Sequence, residues 1–225
     1  MLIERDVDCG LLYNQARLRL MQAAATWSPS QLAATVAATP AWTVHDVLAH
    51  VVGITADLNH QRFDVADADA WTARQIAERS GSSVVELAAE WDAEAPVFAD
   101  GLRLLGYEFG SHYVGDLLHH TQDINTALGL APLADDESLQ VALDFYLDAF
   151  HERLLVPAMA VDVNDIRCGT GDAVATVRAS PFESFRALGG RRTLDEIRAL
   201  DWTGEVDRVL PLFSAYPAPE YSVGP

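Results

Sequence analysis

Positive charge is what this chain has least of. Its 225 residues include 15 Lys and Arg against 33 Asp and Glu, a formal net charge of −18. A surface of that sign repels phosphate backbones and anionic headgroups, so neither nucleic acid nor a membrane is an expected partner. Cysteine is almost as scarce. Cys9 and Cys168 stand far apart, and neither has a catalytic motif around it. Two such residues read as free thiols in a reducing compartment rather than as a disulfide. No apolar run approaches the roughly 18–20 residues that a membrane span requires. The opening stretch, MLIERDVDCGLL, lacks the basic and then apolar segments of a secretory leader, so the expected location is the cytoplasm.

What is present suits a globular chain. Half of the residues are hydrophobic and 21% are charged, and the length suffices for one large domain or a medium one with a small one. Residues 10–26 are rich in Leu, Ala, Gln and Arg and read as a helix; Ser28-Pro29-Ser30 is a stop and restart, and 31–38 is a short helix at most. Thr43 is an N-cap with Asp46 three residues on, and Val44, Val47, Val51, Ile54 and Leu58 then recur at helical spacing to about Arg62. Further helices are expected over 69–79, over 83–105 with Pro96 kinking or dividing it, over 108–128 closed by Gly129, and over 137–159. From about residue 165 the texture changes. Residues 165–168 and 172–178 carry β-branched residues around a Gly-Thr-Gly turn and read as a hairpin, followed by short helices at 183–188, 194–200 and 206–213. The expected architecture is mainly α: a four-helix-type bundle over residues 1–162 and a small α+β C-terminal domain over 163–225. So short a segment buries little surface alone and is expected to pack on the bundle.

The chemistry gathers in one stretch. Of seven histidines, three fall in the twelve residues HYVGDLLHHTQD, together with Asp116 and Asp123. Asp116 and His120 are four apart, one helical turn on the same face, and could offer a carboxylate oxygen and an imidazole nitrogen to one ion. At about 100° per residue, His120 lies about 90° from the centre of the apolar side and His119 about 170°. His120 is therefore the favoured ligand and His119 is expected in solvent, with His112, one turn before Asp116, a weaker alternative. Asp123, two turns beyond Asp116, could orient an imidazole. A third ligand must come from another helix. His50, beside Val47, Val51 and Ile54, suits it better than His45 in the polar first turn. His60 and His151 read as structural. Each feature also has a plain reading, since lone histidines often sit hydrogen-bonded in cores and acid–histidine pairs decorate solvated helices.

The stretch Pro40-Ala-Trp-Thr-Val-His-Asp-Val-Leu-Ala-His50-Val-Val-Gly resembles the first signature of the DinB/YfiT-like superfamily. More narrowly, it is similar to the mycothiol-dependent maleylpyruvate isomerase family, where a tryptophan and a capping Thr-x-x-Asp precede a metal histidine. The family's second signature, Glu-x-x-x-His-x-Trp-Asp, is matched by Asp116-Leu-Leu-His-His120-Thr-Gln-Asp123. Ser180 to Thr193, with Gly189-Gly190-Arg191-Arg192, and Asp201-Trp-Thr-Gly resemble its small C-terminal domain. Asp116 stands for the usual glutamate, Gln122 for a tryptophan, and Thr203-Gly-Glu205 for an acidic Asp-Gly-Asp.

The resemblance implies a DinB-like bundle with a divalent metal, zinc foremost, on His50, Asp116 and His120. It also implies mycothiol as thiol co-substrate and a small electrophilic substrate, handled by an isomerase or an S-transferase. The metal would favour the thiolate, so no cysteine of the chain need be the nucleophile. Arg62, Arg191 and Arg192 are available for a substrate carboxylate. The ligand set also suits a hydrolase or lyase using metal-activated water, or a binding or sensor module without catalysis. The assembly is expected to be a monomer or homodimer.

Overall fold

The computed structural model describes residues 5–64 and 66–225. By Cα proximity they divide into two compact units, Asp6–Pro132 and Leu133–Pro225, the second joined by Arg5. The boundary expected after residue 162 falls inside the second unit.

The first unit is built on four long helices: α1 (Cys9–Ala24), α3 (Val44–Asn59), α5 (Val84–Leu105) and α6 (Tyr107–Leu128). α1 packs on α5 and α6, and α3 packs on the same two, which closes a bundle; α4 (Ala68–Arg79) lies on α3. Capping starts most of these helices. Asp8, Thr43, Asp67 and Ser83 each accept from an amide of the first turn, and Thr43–Asp46 and Ser83–Glu86 are reciprocal capping boxes. Pro96 was expected to kink or divide α5, and the helix runs through it undivided. The proline removes one backbone hydrogen bond, but Leu87, Trp91, Ala95, Phe98 and Leu102 form an unbroken buried stripe on either side of it, and that packing outweighs the loss.

Between α1 and α3 the expected short helix is only Pro29–Leu32 (α2), and the chain then forms a small antiparallel hairpin, β1 (Thr35–Val36) with β2 (Thr39–Thr43). Its β-branched Thr35, Val36 and Thr39 favour extended backbone. The hairpin delivers Trp42 immediately ahead of the Thr43 cap.

The second unit begins with α7 (Glu137–Leu155), which packs on α8 (Pro181–Leu188), α10 (Val206–Phe213) and β4; α9 (Leu194–Arg198) packs on α10. Its four-stranded sheet has the order β4 (Ile166–Gly169), β3 (Ala160–Val163), β5 (Ala173–Arg178), β6 (Asp201–Gly204). The hairpin expected between β4 and β5 is absent. β4 pairs antiparallel with β3, a strand the expectation did not include, and β5 runs parallel to β3 on its other side. The true hairpin turn is Asn164-Asp165, both at positive φ, as a tight two-residue connection requires. The Gly-Thr-Gly segment instead carries the chain past the start of β3. At Gly169, φ is +83° and an added Cβ would lie 2.1 Å from the Met159 carbonyl oxygen, so only glycine passes there.

Candidate metal centre

α3 and α6 are neighbours in the bundle, and they bring three donors together. One ligand atom from each of His50, Asp116 and His120 lies within 4.8 Å of the other two. Asp116 Oδ1 and His120 Nε2 are 3.7 Å apart across one turn of α6. In a tetrahedral shell with ligand atoms about 2.0–2.2 Å from the ion, neighbouring ligands stand about 3.4 Å apart, so the set is slightly wider than a loaded site. Two imidazoles with one carboxylate suit a divalent cation. His50 and His120 are buried, while the Asp116 side chain keeps 29% of its surface exposed. The centre is thus walled on its histidine side and reachable on its carboxylate side.

Burial also decides the charge of His50. Removal from water pushes its pKa from 6.5 down to about 4, against a smaller opposing effect of its bond to Gln75. The ring is neutral at pH 7, the form that donates to a metal. Its Nδ1 is 2.8 Å from Gln75 Oε1, which leaves Nε2 to face the other donors. Trp42 packs against both rings, with centroids 5.1 Å from His50 and 6.4 Å from His120.

The remaining sequence candidates are placed as follows. His119, expected in solvent, is buried, and Asp123 and Gln122 are buried beside it on α6; none of the three joins the donor cluster. Gln122 donates to Thr126 Oγ1 at 3.2 Å. His112 stacks on Tyr113 with centroids 4.9 Å apart, and burial lowers its pKa. His45 meets the Ser82 carbonyl at 2.8 Å. His60 finds an acid that the sequence did not indicate, Glu94, at 2.9 Å. His151 accepts the Gly169 amide at 3.0 Å, a structural role. Of the arginines, Arg62 pairs with Asp57 at 2.8 Å. Arg192 is buried and bonded twice to Glu183, and Arg191 donates to the Gly189 carbonyl. Cys9 and Cys168 are buried, and desolvation pushes their thiols up to about 11 and about 12.

Sequence reasoning missed Gln75 and Asp57. Asp57 lies seven residues after His50, two turns along the same face of α3, and that spacing was a usable signal. Gln75 comes from α4 and carried none.

A cavity of about 400 Å³ opens in the same unit, walled by Leu58, Phe63, Trp71, Phe98, Phe109 and Tyr113. Tyr113 precedes Asp116 by three residues. Burial first, then the Asp116 charge, raise its hydroxyl to about 12, so it is a hydrogen-bond donor at neutral pH. None of the three clustered donors lines this cavity.

No protein-family description and no curated protein sequence matches this chain. Two solved structures do. The mycothiol-dependent maleylpyruvate isomerase superimposes with a TM-score of 0.53 at 14% identity, over 88% of this chain and 92% of that one. A histidine-to-alanine mutant of that isomerase gives 0.51 at 12%, with the same coverage. The chain therefore has the fold of that enzyme, as the sequence resemblance implied. No helix among the described residues is long and apolar enough to cross a membrane.

Proposed function

We propose that this protein is a metal-dependent enzyme in which His50, Asp116 and His120 hold a divalent cation, zinc first among them. It would use a low-molecular-weight thiol, mycothiol, either to isomerise a small electrophile or to add to it as an S-transferase. The observation that carries this reading is the convergence of two imidazoles and one carboxylate on a single point in a bundle of this fold. Two neutral imidazoles and one carboxylate leave a bound divalent ion with a net single positive charge, which would favour the thiolate of an incoming thiol at neutral pH.

The chain's own residues do the rest. His50 and His120 present lone pairs from a dry wall, Trp42 covers that wall, and Asp116 offsets charge at the open side. The cavity beside Tyr113 has the size of a small ligand. In an isomerisation the thiolate sulfur adds to one carbon of a conjugated double bond, whose electron pair moves onto the carbonyl oxygen. The resulting single bond rotates, the pair returns, and the same thiolate leaves, so the thiol is not consumed. In a transfer, a proton is taken up and the sulfur–carbon bond is kept.

The buried cysteines favour an external thiol. With their thiols at about 11 and about 12, almost none of either is thiolate at pH 7. The test is elemental analysis of the purified protein, followed by turnover of a cis-enone acid such as maleylpyruvate with and without mycothiol. Metal at about one equivalent and thiol-dependent turnover are expected, unchanged in the Cys9→Ser, Cys168→Ser double variant. Turnover without thiol would favour metal-activated water instead, and protein that takes up no metal would sink the proposal.

A further inference from the structure

Behind His50 lies a chain of buried polar groups that links α3 to α4. The His50 Nδ1 meets Gln75 Oε1 at 2.8 Å, and Gln75 Nε2 lies 3.4 Å from Asp57 Oδ2. Both Gln75 and Asp57 have no exposed surface at all. Asp57 Oδ2 accepts in turn from two other donors, Trp71 Nε1 at 2.7 Å and Arg74 at 3.1 Å, and Oδ1 forms an ion pair with Arg62 at 2.8 Å. Two guanidinium groups flank this carboxylate, and a carboxylate only accepts hydrogen bonds.

That fact propagates outward. Facing an obligate acceptor, the Gln75 amide must turn its NH2 towards Asp57; the reverse orientation would set its carbonyl against a carboxylate oxygen. With the NH2 committed, only Oε1 remains for His50. An oxygen that can only accept requires a proton on the facing nitrogen, Nδ1. A neutral imidazole carries one proton, so Nε2, on the side of Asp116 and His120, keeps its lone pair.

We propose that Gln75, oriented by the buried Asp57 carboxylate, is a positioning residue that fixes His50 as its Nδ1–H tautomer and aims Nε2 at the metal. The inference deepens the metal reading of this centre and rests on it for its purpose, though the tautomer itself does not depend on metal. The approach of α4 is built for this contact. A Cβ at Gly53, three residues after His50, would lie 2.6 Å from Gln75 Cβ, so glycine is what lets Gln75 reach the ring.

Two measurements test it. Long-range 15N–1H spectra of the chelator-treated protein should show His50 protonated on Nδ1 in the unsubstituted chain, and should lose that preference in Gln75→Met. Zinc titration should show affinity about 10–100-fold weaker in Gln75→Met, the usual cost of losing a histidine's outer partner. An Nε2–H tautomer in the unsubstituted chain would overturn the proposal without any variant having to fold. A folded Gln75→Met protein with unchanged tautomer and zinc affinity would do so equally. Protein that takes no zinc yet shows the Nδ1–H form would support the lock while sinking the metal reading itself.

Discussion

A histidine binds a metal through a lone pair, so each candidate ligand must be neutral, hold its proton on the far nitrogen and face its partners. His50 meets these conditions through burial and through Gln75. On α6 the choice between adjacent histidines follows from direction. His120 Nε2 stands 3.7 Å from Asp116, whereas His119, 100° round the helix, is buried elsewhere. His50→Ala, Asp116→Ala and His120→Ala should therefore each empty the centre in elemental analysis. His119→Ala should keep the metal but melt earlier, by the equivalent of about 1–3 kcal/mol for a lost buried polar side chain. Loss of metal in His119→Ala with retention in His120→Ala would reverse the assignment. Counting turns put His120 on the side of Asp116, where its Nε2 lies, but did not place His119 in its environment. The count took its axis from apolar residues alone, while α6 also buries Ser111, Gln122 and Asp123. A helix buried on most sides has no single apolar stripe from which solvent exposure can be read.

At the scale of elements, α3 does the positioning. Its N-terminal capping box fixes where the helix starts, so His50 falls at a set height, and its neighbour α4 brings in the group that orients the ring. The close approach at Gly53 joins these two helices, which gives a test confined to their spacing. Gly53→Ala gains helix propensity, but its methyl meets the Gln75 Cβ at 2.6 Å, and strain of this kind costs about 1–3 kcal/mol. The variant should melt earlier and bind zinc more weakly, although none of the three donors is altered. An unchanged zinc affinity would mean that α4 yields without moving Gln75. Helices such as α3 and α5 were legible in the sequence because cap and stripe are both local signals. The sheet was not. Reading a hairpin across Gly169-Thr170-Gly171 assumed that strands joined by a short turn are neighbours, and here the turn rounds the start of β3. What permits that is the contact of Gly169 with Met159, a fact of packing that no local window contains.

At the scale of the whole molecule, the donors all belong to one of the two units. His50, Asp116 and His120, together with Gln75 and Asp57, lie within Asp6–Pro132, whereas the sheet β4-β3-β5-β6 lies wholly within Leu133–Pro225. A ligand that binds only the folded form stabilises whatever must unfold to release it, by about 2.7 kcal/mol when its free concentration is 100 times Kd. If each unit opens as its own cooperative body, that stabilisation should be confined to the first. Hydrogen exchange followed by mass spectrometry reads this directly. Removing the metal with a chelator should speed exchange in peptides from α3, α6 and the neighbouring α4 by up to about a hundredfold, the rate equivalent of that energy. Peptides from β3, β4 and β5 should exchange at the same rate with and without chelator. Equal acceleration in both units would show that they open together, so that metal on the bundle also steadies the sheet. No acceleration anywhere, in protein shown by elemental analysis to have carried metal, would place the ion somewhere other than between α3 and α6.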